Sequence, residues 1–187
     1  EREFTIGANY RLGELQAALL LGALERLPGQ QAERAEAARH FEELATEVDG
    51  IRLLPPDPRI TRWSFYRYIV LIEPEAFAGA TNRRVCEALE AEGVGAWEGY
   101  EPMSRYDLFQ PALSRLPVAV EHADRLDPAR MSFPVAEDAG LRRTLYLDEN
   151  VFRAGRRGIE EAVEALAKVQ RHAAELAPDA HLAREQD

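Results

Sequence analysis

The sequence predicts an α+β protein, in which helices cover one side of a small, mostly antiparallel sheet. Its first 48 residues carry apolar side chains at helical spacing and predict a long N-terminal helical segment. Short runs rich in β-branched and aromatic residues follow, bounded by turn residues, and these predict strands. Further helical patterns lie between and after these runs, which suits a helical layer packed on one sheet.

Residues 12–27 predict a helix that is apolar on almost every side. One stripe at helical spacing holds Leu12, Leu15, Leu19 and Ala23, and a second holds Leu20, Leu24 and Leu27. A helix of this kind is expected to be buried all round, by contacts that this chain cannot make alone. Asn9 precedes the first periodic residue and is a candidate N-cap. Gly13 and Gly22 are poor helix formers, so they suggest places where another backbone comes close.

The Pro28-Gly29 pair predicts that this first helix breaks or kinks, because proline removes a helical hydrogen bond. A second helix is expected over residues 30–48, closed by Gly50. The best strand pattern is 64–72, where Arg67 is the one polar residue on a face that should be partly exposed. Other strands are predicted at 51–54, 94–97 and 143–147, and helices at 81–92, 118–126, 133–140 and from Gly155 to Pro178, with an irregular loop at 99–116.

Composition narrows the function classes. The net charge of −10 argues against nucleic acid or an anionic membrane as a partner, and no apolar run is long enough to span a membrane. The single cysteine, Cys86, excludes an internal disulfide and fits a reducing, cytoplasmic setting. We expect Cys86 to be a small core residue and Lys168, the only lysine, to lie on the surface of the last helix.

Several motifs recur in a fixed order along the chain. Residues 7–20 read G-A-N-Y-R-L-G-E-L-Q-A-A-L-L and continue into L-E-R-L; E-G-V, Y-E-P-M, D-L-F-Q-P and F-P-V-A-E follow at 92–94, 100–103, 107–111 and 133–137. In this order they resemble the C-terminal part of the DegT/DnrJ/StrS family. These are fold-type I aminotransferases that use pyridoxal phosphate (PLP), mostly on keto-sugars and keto-cyclitols.

The resemblance implies a domain plan and an assembly. Residues 1–178 would be the small C-terminal domain, with a helical connector at 1–48 and an α+β layer at 51–178. Residues 179–187 would be a flexible tail. The family implies a homodimer that takes an amino-acid donor and a keto-sugar. Because the chain begins inside a motif and without methionine, we expect it to be a piece of a longer protein.

The resemblance also implies site residues. In the family, the asparagine of the first motif reaches across a dimer to the PLP phosphate of the other subunit, and this residue is Asn9 here; a plain N-cap is the alternative. Arg11 would hold the carboxylate of the amino donor or a substrate phosphate, unless it pairs with Glu14. Tyr100 would lie near the substrate. Many relatives carry histidine before that tyrosine, whereas this chain has Gly99.

The chain itself is expected to hold no catalytic residue. The family keeps the lysine that binds PLP as a Schiff base upstream of residue 7, and the spacing around Lys168 does not suit it for that role. The histidines lack metal-ligand spacing, so no metal is predicted. The interpretation is the C-terminal domain of a PLP-dependent sugar or cyclitol aminotransferase. The alternative is a non-catalytic interaction or regulatory module derived from the same fold.

Overall fold

The computed structural model describes residues 12–54 and 56–176. A four-stranded sheet in the order β1-β2-β4-β3 is antiparallel throughout. Its strands are β1 (Ile51–Leu53), β2 (Arg67–Ile72), β3 (Ala96–Glu98) and β4 (Thr144–Asp148). The helices are α1 (Glu14–Ala45), α2 (Asn82–Ala91), α3 (Pro117–Glu121), α4 (Ala123–Leu126), α5 (Pro134–Asp138) and α6 (Gly155–Arg171). The predicted α+β class and its antiparallel sheet are confirmed.

Helix α1 corrects two predictions. It runs without a break from Glu14 to Ala45, with Pro28 inside it, so the expected second helix is the C-terminal half of the first. Proline removes only one donor, and good helix formers on both sides continue the hydrogen bonding. The N-cap of α1 is Gly13, whose N–H donates to Gln16 Oε1 at 2.7 Å, so the prediction that Asn9 caps this helix is wrong.

One face of the sheet forms the core. Alternate apolar residues of β2 and β4 are buried there in one core cluster with residues of α1, α2 and α6, as strand periodicity requires. The buried apolar side chains of the strands are Tyr68, Val70, Ile72, Ala96, Leu145 and Leu147. The predicted inward stripe of the last helix is confirmed at Ile159, Val163, Leu166 and Val169. The helix ends at Arg171, before the predicted end at Pro178, and the buried Ala173 belongs to a 3₁₀ turn that follows it. Cys86 is buried on α2, as expected, and burial raises the pKa of its thiol well above the usual range.

An aromatic cluster joins α1 to the sheet. Phe41 meets Tyr68 and Phe152 edge to face, with ring centroids 5.3 and 5.5 Å apart, and all three rings are buried. The Tyr68 hydroxyl donates to Glu42 Oε1 at 2.8 Å, so its polar end is satisfied. Burial, followed by this carboxylate, raises the pKa of Tyr68 above its ordinary value. The cluster therefore fixes the C-terminal half of α1 against β2.

Within 12–54 and 56–176, no helix is long and apolar enough to cross a membrane. The same residues contain no group of three or more His, Cys, Asp and Glu side chains that could hold a metal ion.

Candidate functional site

The sheet face opposite the core is partly open to solvent. Ile69, Tyr146 and Trp97 stand side by side in register on β2, β4 and β3. Ile69 and Trp97 are exposed, and Tyr146 is half-buried. Arg67, on the same face of β2, is also half-buried, which confirms the partial exposure predicted for its face. We call this surface of Arg67, Ile69, Trp97 and Tyr146 the open face. It combines aromatic and aliphatic side chains with one cation.

Arg67 is held by aromatic rings. Its guanidinium carbon lies 4.3 Å from the centroid of the Trp97 ring and 5.4 Å from that of Tyr66. Such contacts are cation–π interactions, and they leave the edges of the guanidinium able to bind an anion or hydroxyl. From the sequence, Arg67 was predicted only as a polar residue on a partly exposed face of a strand. The cross-strand pairing with Trp97 could not be foreseen, because it needs the strand order of the folded sheet.

Tyr100 lies at the edge of the open face. It follows the end of β3 by two residues, and its side chain is 67% exposed. Its ring centroid is 5.4 Å from that of Tyr146, at an interplanar angle of 54°. The structure thus places this predicted substrate residue beside the open face with much of its ring accessible.

The backbone before Tyr100 is tightly packed. The Gly99 N–H donates to the carbonyl of Thr144 at 2.9 Å. A Cβ at position 99 would lie 2.9 Å from the Gly140 carbonyl oxygen and 2.9 Å from Thr144 Cβ. A Cβ at Gly140 would approach the Tyr100 carbonyl oxygen to 2.4 Å. This close packing explains why position 99 is a glycine. A histidine there would require the backbone to shift.

An apolar pocket follows Tyr100 along the chain. The segment 99–116 consists of short 3₁₀ turns, which confirms the predicted irregular loop. Together with the residues up to 136 it encloses about 630 Å³. Most of its lining is apolar, including Met103, Phe109, Leu116 and Phe133. The pocket begins at Pro102, two residues beyond Tyr100.

The N-terminal half of α1 exposes an unusual number of leucines. The exposed fractions run from 49% at Leu20 to 78% at Leu15. Leu19, Leu21 and Leu24 lie between these values, as does Leu12 just before the helix. A Cβ added at Gly22 would meet only Arg26 of the same helix, so no other described backbone approaches it. We call these exposed leucines the leucine face. The burial expected for them is absent within the described part of the chain.

Lys168 occupies the surface position predicted for it. Its Nζ donates to both carboxylate oxygens of Glu92, at 2.8 and 2.7 Å, and its side chain is 51% exposed. Of the three predicted site residues, Tyr100 is described above, whereas Asn9 and Arg11 lie outside the described residues.

Comparison with known proteins identifies the family. A model described as the DegT/DnrJ/EryC1/StrS aminotransferase family matches residues 1–143, well over half of the chain. The chain belongs to this family. The resemblance expected from the ordered motifs is thereby confirmed.

Curated relatives of this family share about a third of their aligned residues with the chain. The chain is 34% identical over 173 residues to an L-glutamine:2-deoxy-scyllo-inosose aminotransferase of Streptoalloteichus tenebrarius, covering 91% of the chain and 40% of the relative. It is 31% identical over 166 residues to an L-glutamine:scyllo-inosose aminotransferase of Streptomyces griseus, covering 88% and 39%. The chain therefore spans about 40% of the length of these relatives.

Solved structures agree on the fold. A 3-amino-5-hydroxybenzoic acid synthase aligns with a TM-score of 0.64 at 24% identity, covering 90% of the chain and 42% of that structure. Helicobacter pylori PseC, an aminotransferase involved in the biosynthesis of pseudoaminic acid, aligns with a TM-score of 0.61 at 22% identity, covering 89% and 40%. These alignments show the fold, and they confirm the predicted resemblance to the fold-type I aminotransferases.

Proposed function

We propose that this chain is the C-terminal domain of a PLP-dependent aminotransferase that aminates a keto-cyclitol or keto-sugar. The observation that carries the proposal is membership of the aminotransferase family over residues 1–143. The curated relatives described above act on inosose-type ketones with L-glutamine as donor, and we take this pair as the first substrates to test. The domain plan of 1–178 followed by a tail, and a cytoplasmic location, belong to the same proposal.

The chain's share of the active site lies at its N-terminus and at the open face. Asn9 donates its amide N–H to the cofactor phosphate of the other subunit, and Arg11 holds the carboxylate of the amino donor. Tyr100 and the open face contact the acceptor ring, since flat aromatic side chains pack well against apolar ring faces. PLP, when bound, supplies the electron sink and carries the amino group between the two substrates.

The test of this function is amino transfer by the longer protein that carries this chain. Purified protein with PLP, L-glutamine and a scyllo-inosose ketone is expected to yield the aminocyclitol, detected by mass. Omitting the ketone should stop the reaction after one amino group per subunit has left L-glutamine. Absence of any transfer, with PLP bound, would instead favour the alternative of a non-catalytic module.

The lysine that anchors PLP is proposed to lie in the part of the protein beyond this chain. We predict that borohydride reduction of the PLP-loaded protein labels a lysine other than Lys168. The reason is that Lys168 is engaged with Glu92 on the outer surface of α6. Peptide mapping gives the site, and Lys168→Gln is the matched variant, which should retain full labelling. Stoichiometric label on Lys168 would contradict the assignment.

The leucine face is proposed to be covered in the assembled homodimer. Leu19 is 71% exposed in this chain, so Leu19→Glu should cost little in an isolated protomer. In the assembly it would bury an unpaired carboxylate, and we expect dimer dissociation to rise at least about tenfold. Ala32→Glu, also exposed on α1, is the control and should leave assembly unchanged. A parent protein that sediments as a monomer at high concentration would overturn the prediction.

A further inference from the structure

Asn82 is a buried amide at the first position of α2. Its side chain is 1% exposed. Its Nδ2 donates to the carbonyl of Gly140 at 2.8 Å and to the carbonyl of Thr144 at 2.9 Å. Its Oδ1 accepts a hydrogen bond from the backbone N–H of Arg83, with an N···O distance of 2.9 Å. Both amide protons are therefore used by backbone far away in sequence, and the helix cap itself is supplied by Thr81.

The two carbonyls that Asn82 binds belong to the backbone that holds Tyr100. The Thr144 carbonyl also accepts the Gly99 N–H, so Asn82 and Gly99 share one acceptor. Gly140 packs directly against the Tyr100 carbonyl oxygen, with no space for a Cβ between them. A shift of either carbonyl would therefore move the Gly99–Tyr100 backbone.

Ion pairs that are partly open to solvent also hold the turn at Ala139–Arg143, which contains Gly140. Arg143 pairs with Asp138 and with Glu73, and Arg52 reaches Glu73 at 3.1 Å. Arg52 and then Arg143 hold the pKa of the Glu73 carboxyl below its usual value. Because water and salt reach these side chains, the ion pairs are screened in part and contribute less than their short distances suggest. The buried amide is thus the stronger restraint on the turn.

We propose that Asn82 is a positioning residue for Tyr100. Its amide fixes the Gly140 and Thr144 carbonyls, these fix the Gly99–Tyr100 backbone, and that backbone sets where the Tyr100 ring meets the keto acceptor. The role in acceptor binding rests on the proposed function, whereas the restraint on the Gly99 backbone does not. Nothing in the local sequence signals the role, since Asn82 resembles an ordinary residue at a helix start.

Asn82→Asp is the sharpest test variant. Aspartate keeps the size and the acceptor oxygen toward Arg83, but it replaces two donated hydrogen bonds by a carboxylate facing two carbonyl oxygens. In the longer protein we expect the KM for the keto acceptor to rise about tenfold, with a smaller change in the KM for L-glutamine. Asn82→Ala, which removes the donors without adding charge, should act in the same direction and less strongly.

A double-mutant cycle with Tyr100→Ala separates positioning from general damage. If Asn82 acts through Tyr100, its effect on acceptor KM should fall below about twofold once Tyr100 is removed. The control is Tyr68→Phe, which removes a part-buried hydrogen bond of a buried residue on the core face of the sheet. Its effect should be the same with and without Tyr100. An undiminished Asn82→Asp effect in the Tyr100→Ala background would overturn the proposal.

Amide hydrogen exchange at Gly99 gives a readout that does not depend on activity. Asn82→Asp should accelerate exchange of the Gly99 amide at least about tenfold relative to the amides of β2. Unchanged Gly99 exchange would overturn the proposal even if the enzyme were active. Accelerated exchange in a protein that transfers no amino group would overturn the proposed function and the acceptor role together, while leaving the backbone restraint established.

Discussion

Replacing Asn9 by alanine is expected to weaken PLP binding by about tenfold to hundredfold in the longer protein. The substitution removes one charge-assisted hydrogen bond to the phosphate dianion, worth roughly 1.5–3 kcal/mol. Asn9→Asp should weaken binding further, because its carboxylate repels the phosphate. Equilibrium titration of the apoprotein with PLP measures both changes.

The position of the α1 cap makes the Asn9 experiment cleaner. Because Gly13 is the N-cap, substitutions at Asn9 should leave the free energy of unfolding nearly unchanged. Gln16→Ala is the matched control, since Gln16 accepts the Gly13 N–H and its loss affects the helix start alone. It should lower stability slightly and leave PLP affinity intact. Unaltered PLP affinity in Asn9→Asp would remove Asn9 from the cofactor site.

Phe41→Ala is expected to cost about 3–5 kcal/mol in the free energy of unfolding. The ring is fully buried and packs edge to face on Tyr68 and Phe152, so its removal leaves a cavity at the junction of α1 and the sheet. Chemical denaturation of the chain measures the loss. Tyr66→Ala is the control: its ring is 75% exposed, and its removal should change stability by less than about 0.5 kcal/mol. Similar losses in the two variants would show that this cluster is not the anchor of α1.

Most of the fold follows from local patterns in the sequence. The alternation in β2, the capped helix α2 and the inward stripe of α6 depend on nearby residues, and each element lies within its predicted range. The strand begins later than predicted, at Arg67, and α6 ends earlier, at Arg171. Gly93, which follows α2, adopts the left-handed conformation at φ +87°, as suits a glycine that closes a helix. Periodicity reports which side of an element is apolar, and in these elements the apolar side faces the core.

The predictions for α1 were less successful, for two physical reasons. Pro28 carries a strong local signal for a break, but helix propensity on both sides outweighs one lost hydrogen bond. The leucine face has a real apolar pattern, yet a pattern cannot say whether the covering surface belongs to the same chain. Asn82 illustrates a third limit, since its partners Gly140 and Thr144 are adjacent only after folding.

The most direct test of the proposed active site is a hybrid dimer. One subunit carries Asn9→Asp, and the other lacks the PLP-anchoring lysine of the longer protein. In a twofold dimer whose asparagine acts across the interface, one of the two sites then has both an intact lysine and an intact Asn9.

The hybrid is compared with the two parent homodimers, each of which should be nearly inactive in amino transfer from L-glutamine to the ketone. We predict that mixing the two subunits gives a hybrid dimer with about half the activity of the unmodified dimer, because one of its two sites is complete. If Asn9 acted within its own subunit, or had no part in the site, the hybrid would not gain activity over its parents. Failure of the hybrid to recover activity, with its assembly verified, would contradict the proposal.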